Sequence, residues 1–549
     1  MRTVSDRAPL DGACNARDHG LVGDGETNDQ PAFAALVEAL GAAVASDGRP
    51  RVIYCPPGVY AMKNTGTRWY SGVSLVGAGP GVTRFVLANP GNRDDPTQLA
   101  HFTTQQHGAG RDNHIADVTF AEFEIDGSGV ELPEYDPLAK GLGLQYVLRG
   151  RFRSLYIHGT AATGFGCDFL QDTVVRDITV VGCGRMDTGE QPGGAGIGIG
   201  IGGWGLDERL TVTGCTARAN GTNGIFVELQ REYWPPPRGI QITDCHAEGN
   251  RFGISDWGAQ GLIVSACTLV SNCVAGFDVS SQGTSGVGGR GGLLTSCVID
   301  ANLADGVSIG NTPGPYTARG NRISNNGGCG YREHNLARDP EAASEITIES
   351  NDVFGNGLDG IRLEAETRDA LLVANRVRNN GRRCAPAASG GGRTVTYTET
   401  ALVDEAACWP EDGHRGKPVR VDERSAIVLA NTPTELRLAP ERPQVEGAWP
   451  DGVVPVAGSA YVLPGAPDTR AGIVLDAAAD EPTIRANRVW DNQRRKTQTH
   501  GLWITPRGTC RSARVADNDL VGNAAGALRC DTAPSKGRWD RNLGVPPLP

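Results

Sequence analysis

The chain has 549 residues with 52 Lys and Arg against 63 Asp and Glu, and its net charge of −11 lacks the basic excess that nucleic-acid binding requires. Glycine supplies 76 residues, about twice the share of roughly 7% usual in globular chains, with no collagen-like period. Hydrophobic residues at 39% exclude a disordered chain, and no run of about 18 apolar residues offers a membrane-spanning helix.

The first twenty residues, MRTVSDRAPLDGACNARDHG, contain no apolar stretch of the kind a secretory leader needs. The expected placement is therefore cytoplasmic, virion-associated, or extracellular after loss of a leader. Residues 23–40, GDGETNDQPAFAALVEAL, read as an acidic turn followed by an amphipathic helix. VIYCPPGVY from Val52 and VSLVGAGPGVTRF from Val73 come next.

From Gly164 the chain repeats. Segments opening on glycine and an apolar residue begin at Gly164, Gly196, Gly224, Gly253, Gly276, Gly306, Gly330 and Gly360, at intervals of 32, 28, 29, 23, 30, 24 and 30. The next residues, from Phe165 to Ile361, are all apolar, and those two further on mostly so, which marks strands with one buried face. One such strand per coil predicts a parallel β-helix, an all-β solenoid, with the helix of residues 23–40 capping its open end. Asp256 and Glu333 fall on inward positions: either they are buried and paired or the coil slips locally, and a slip is the expected account.

Two further ladders run in phase. Asn220, Asn250, Asn272, Asn302, Asn326 and Asn356 each precede a strand glycine. Five residues earlier stand Cys215, Cys245, Cys267, Cys297, Asn321 and Asn351, an inward stack in which thiols fill the core. Cys384 with Cys408 is the expected disulfide.

Residues 384–465 interrupt the coils with short strands and turns, predicting a small β module inserted into one turn of the solenoid. The expected organisation is thus 1–383 for the cap and main β-helix, 384–465 for the module and 466–549 for the returning coils.

The cap segments and the Asn-then-Gly coils together resemble the pectate-lyase-like right-handed parallel β-helix superfamily, over about residues 15–380 and 470–545. That resemblance implies action on a polysaccharide, since the superfamily holds glycoside hydrolases, polysaccharide lyases, mannuronan epimerases and phage tailspikes. The epimerase signature YGxDPH aligns with TGFGCDFL from Thr163: Thr163 replaces its Tyr, Gly166 its Asp and Asp168 its His, so the epimerase set is absent. The polygalacturonase motifs are absent as well.

Chemistry is expected on the outward positions, two and four residues after each strand glycine. Asp168 and Glu228 share one line with Gly200 between them, two strand spacings or roughly 10 Å between their backbones. Leaning side chains would bring them near the roughly 6.5–9.5 Å of an inverting glycosidase. Glu228 is the expected general acid, Asp168 the base, and Asp278 a further acid or sugar ligand. Trp204, Trp234 and Trp257, with Tyr233 and Tyr316, offer rings for sugars to stack on. Arg332, His334, Arg362 and Glu364 form a second cluster, in which stacked arginines would hold a uronate carboxylate and His334 would act as a lyase base. The corresponding unremarkable readings are a solvated acidic face and a surface ion-pair network. The leading expectation is a glycoside hydrolase; a lyase at His334 and a glycan-binding virion protein are its rivals. No cofactor or metal is expected, and the expected partner is a polysaccharide or oligosaccharide, with no nucleic acid or membrane and either a monomer or, for a virion protein, a trimer.

Overall fold

The computed structural model describes residues 12–545 apart from 64–65, 90–97, 187–192, 206, 232, 281–288, 290, 311–315, 335–344, 468 and 534–536. The chain divides into two compact units, Met1–His246 and Ala247–Pro549.

In the first unit the residues expected as a turn, Asp24–Asn28, form a strand, and the helix runs Gln30–Asp47. It starts there because Pro31 has no amide to donate and suits the first turn; it stops where Gly48 takes a left-handed φ of 69°. Asp29, at the helix entry, accepts the amides of Val22 (2.6 Å) and Gly23 (3.2 Å) and so pins the preceding segment. The helix buries Phe33, Leu36 and Val37, with Phe33 against Trp69 and Phe85. Beyond the cap the strands pair in parallel, and equivalent residues stack: Ile53 on Leu75, Leu75 on Phe120, Phe120 on Phe152, Phe152 on Val175, Val175 on Val212. Each of these side chains is fully buried. This parallel stacking of short strands, coil upon coil, is the β-helix that the period-two pattern predicts.

The second unit repeats the scheme. Ile254, Phe277, Val307, Tyr331, Ile361, Ile473 and Leu502 form one buried column through successive parallel pairings. At a coil corner one residue adopts left-handed φ (Ala266, Ser296, Ser350, Ala374 and Ala486), and the ladder residue follows immediately as Cys267, Cys297, Asn351, Asn375 or Asn487. The bend exposes the ladder residue's own amide inside the coil, and the asparagine of the next coil accepts it. Thus Asn321 Oδ1 takes the Cys297 amide (2.9 Å), and Asn351 Oδ1 takes both the amide and the side-chain NH₂ of Asn321 (2.9 and 3.0 Å). A parallel chain of amides links Asn250, Asn272, Asn302, Asn326, Asn356 and Asn380.

Residues 388–463 build a separate antiparallel sheet of seven strands, running in space from Ala388–Gly390 through Tyr461–Leu463, Pro418–Val421, Arg424–Asn431, Glu435–Ala439 and Ala401–Asp404 to Val395–Tyr397. It packs its own core around Leu402, Val428, Leu436, Trp449 and Tyr461.

Two expectations are corrected. Cys384 and Cys408 are both free thiols, the first half-buried and the second exposed on the turn after Ala401–Asp404, so no bridge closes the module. The coil does not slip at Asp256: Ile254 pairs with Phe277 and Asp256 with Val279 in unbroken register, and the Asp256 carboxyl is buried inside the solenoid.

Candidate active site

Asp168 opens the strand Asp168–Gln171 and pairs with Gln145 of the coil before. On its other side Phe165 pairs with Ile197, which sets Asp168 opposite Gly200, and Gly200 pairs with Glu228. Gln145, Asp168, Gly200 and Glu228 therefore form one outward line, with the two acids two strands apart. Gly200 is not an open floor between them. Its amide donates to Asp168 Oδ1 (2.8 Å), and a Cβ there would lie 2.9 Å from that oxygen and 2.9 Å from Gln230 Cγ. Asp168 Oδ2 accepts from Gln145 Nε2 (3.0 Å) and lies 3.6 Å from Lys140 Nζ. Each carboxylate oxygen keeps lone-pair capacity beyond these contacts.

Glu228 is half-buried, and burial pushes its pKa up to about 7; the Asp168 charge adds to the rise, while a hydrogen bond from Gln230 (2.9 Å) opposes it. The rings expected beside it gather around Phe169, the residue after Asp168. Trp204 donates its indole N–H to the Phe169 carbonyl (2.6 Å) and meets Tyr146 edge-on, and Trp234 meets Phe169 edge-on. Tyr233, 76% exposed, leads out from Trp234.

A second buried acid stands behind this site. Glu208 lies on the strand Asp207–Thr213, where a register shift between Asp207 and Leu210 turns it inward. Its Oε1 accepts the amides of Gly202 (2.7 Å) and Trp204 (3.4 Å), its Oε2 has no partner, and burial pushes its pKa up to about 8. Glu208 thus fixes the loop that carries Trp204. No strand-glycine pattern marks it, because a bulge sets its direction. Gln145 was detectable: it stands four residues after Gly141, the same offset as Asp168 from Gly164, one coil earlier. Lys140, in the turn before that strand, carries no repeat signal.

In the second unit Asp278 pairs with Ser255 and Ser308 on the outward face, yet it is 4% exposed. Trp257 donates its indole N–H to Asp278 Oδ2 (3.2 Å) and Ser280 its hydroxyl (2.9 Å). Burial raises the Asp278 pKa to about 6 against these bonds. Asp278 is therefore not an accessible acid, while Trp257, half-buried, donates its indole N–H to it. Tyr316 is buried too, contrary to its reading as an exposed ring.

Arg332 pairs with Arg362 across neighbouring strands as expected, and the anion between them comes from the protein. Glu364 Oε2 accepts from Arg332 (2.6 Å) and its Oε1 from Arg362. Arg332 also faces Asp305 (3.5 Å), and Arg362 bonds Asp359 (2.8 Å) and Asp476. Burial would raise the Glu364 pKa, but both arginines hold it below the usual carboxyl range. His334 turns from Glu364 toward Ser308, with Nε2 2.8 Å from the hydroxyl, and burial beside Arg332 lowers its pKa to about 4. Among the described residues no three His, Cys, Asp or Glu side chains converge as a metal site. No helix there is long and apolar enough to cross a membrane.

Comparison with known proteins bears on the fold. Residues 13–278 match the family described as Rhamnogalacturonase A/epimerase, pectate lyase-like, and residues 236–338 match the right handed beta helix region. Mannuronan C5-epimerase AlgE3 of Azotobacter vinelandii is 27% identical over 30% of this chain, a stretch that spans 10% of that protein's length. The Azotobacter vinelandii epimerase AlgE6 A-module superposes with a TM-score of 0.41 at 13% identity, covering 97% of this chain and all of that one. The Yersinia enterocolitica family 28 exopolygalacturonase superposes with a TM-score of 0.48 at 13% identity, over 66% of this chain and 74% of its own.

Proposed function

We propose, for a chain that belongs to the pectate-lyase-like right-handed parallel β-helix superfamily, that it acts on a polysaccharide and hydrolyses its glycosidic bonds at the Asp168–Glu228 line. One observation carries this reading: Glu228 holds a pKa of about 7 beside a second carboxylate on the same face. An acid poised near neutrality gives up its proton to a leaving oxygen yet keeps a substantial protonated fraction at that pH. Asp168, steadied by Lys140, Gln145 and the Gly200 amide, is the companion that draws a proton from water. Two strand spacings, roughly 10 Å between backbones, suit the inverting arrangement once the side chains lean together. Trp204, Trp234 and Tyr233 supply ring faces for neighbouring sugar units.

Elimination at His334 has no comparable support. Arg332 and Arg362 are already neutralised by Glu364, Asp305, Asp359 and Asp476, which leaves no vacant cationic pair for a uronate.

The test is mass spectrometry of products from a panel of neutral and acidic polysaccharides. The expected products carry one added water per cleavage, and Glu228→Gln and Asp168→Asn each lower turnover about 10²–10⁴-fold with the melting temperature preserved. Unsaturated products, or near-wild-type rates in both variants, would overturn the assignment. Cleavage of nothing in the panel would favour a glycan-binding role of the virion type.

A further inference from the structure

Three arginine pairs in the second unit stack across neighbouring strands, Arg332 with Arg362, Arg376 with Arg488 and Arg514 with Arg538, and they differ in what lies around them. Arg332 and Arg362 enclose Glu364. Arg376 and Arg488 are directly opposed in another sheet, beside the buried Val377 and Val489; Asp352 stands opposite Arg376 on its other side but is tied to Arg378, and among the described residues no carboxylate lies between the two arginines. Asp519, the partner of Arg488 at 3.4 Å, belongs to the strand on the far side. Among the described residues Arg376 makes no ion pair, and neither does Arg322 two strands away. Both are exposed, as is Arg488. Several other exposed arginines on this unit's outer strands have acids: Arg319 has Glu349, Arg485 has Asp517, Arg511 has Asp480 and Arg538 has Asp540, whereas Arg514, opposite Arg538, makes no ion pair among the described residues. Opposed like charges are unfavourable in a sheet, so the Arg376–Arg488 pair calls for an anion.

The rings beneath hold the guanidinium groups ready. Arg488 lies 4.5 Å and Arg376 6.0 Å from the Trp490 centroid, and Arg322 lies 5.1 Å from that of Phe354. Arg378 is wedged between both rings and tied to Asp352. A guanidinium stacked on a ring keeps its in-plane N–H edge free, which is the edge that binds a carboxylate bidentately.

We propose that this strip, centred on Arg376 and Arg488, is a docking site for an acidic polysaccharide, with a uronate-type carboxylate seated between the two arginines. Asp352 and Asp519 within the strip accept sugar hydroxyls and repel the unbroken charge of a nucleic-acid backbone. The site is distinct from the Asp168–Glu228 line and does not depend on its assignment.

Affinity electrophoresis of the full chain tests this, run in the Glu228→Gln background so that the ligand is not consumed. Polygalacturonate in the gel is expected to retard the protein, and neutral dextran is not. The double variant Arg376→Gln/Arg488→Gln is expected to bind at least about tenfold more weakly. Arg322→Glu, a single exposed change, is expected to weaken binding in the same direction should the double variant fold poorly. Absence of retardation, equal retardation of the variants, or equal retardation by single-stranded DNA would each overturn the proposal. Loss of hydrolysis in Glu228→Gln with retained binding would separate this site from the catalytic assignment.

Discussion

Asp168 rests on Gly200: its Oδ1 accepts the glycine amide at 2.8 Å, in the space a Cβ would need. The acid's orientation therefore depends on the missing side chain one strand away. Gly200→Ala is expected to swing Asp168 off the amide, lower turnover at least about tenfold and cost about 1–3 kcal/mol of stability. Steady-state kinetics with a thermal melt checks both; unchanged turnover would show that Asp168 needs no such seat.

Glu208 gives a pH signature. Burial pushes its pKa up to about 8, so the folded state favours the protonated form. Its contribution to stability is complete below about pH 4, where the unfolded chain is also protonated, and is lost as pH rises through about 8. Glu208→Gln removes that loss. The stability gap in favour of the variant should be near zero at about pH 4, grow by at most about 1.4 kcal/mol per pH unit, and level off above about pH 8. Urea denaturation across that range reads the gap, and a constant gap would refute the buried protonated acid.

Glu364→Ala leaves Arg332 and Arg362 opposed with no anion between them, although Asp305, Asp359 and Asp476 still attend their outer edges. The expected loss is about 1–3 kcal/mol, and removal of Arg332 as well should return part of it. A double-mutant cycle measures this; simple additivity would mean the three groups do not act together.

Asn326 accepts the backbone and side-chain N–H groups of Asn302 (3.0 and 2.9 Å) and donates in turn to Asn356. Asn326→Ala leaves buried donors on Asn302 unsatisfied, so it is expected to cost about 2–4 kcal/mol. Hydrogen exchange at the Asn302 amide should accelerate more than at distant coils.

The coil pattern was legible because a buried column requires an apolar residue at one fixed place, and Phe165 through Ile361 satisfy it. The line from Asp168 to Glu228 followed from the same periodicity. Accessibility was not legible: Asp278 occupies an outward position yet is buried, accepting from Trp257 and Ser280, contacts between side chains that no spacing encodes. Glu208 escaped notice because a bulge, invisible in the glycine ladder, reverses its direction. His334 shares a line with Glu364, yet it bonds Ser308, since the arginines already saturate the carboxylate.

The antiparallel module enters and leaves without disturbing the lattice it interrupts. Ile361 pairs with Ile473 and Arg376 with Arg488, while Asn375 hands its amide to Asn487, 112 residues on, with the geometry used between contiguous coils. Asp359 clasps the returning chain at Thr469, Arg470 and Ala471. The excursion costs mainly loop-closure entropy, which rises only slowly with length. A solenoid so closed across the gap carries its register through the coils themselves, so shortening the module is expected to leave the pairing of Ile361 with Ile473 intact.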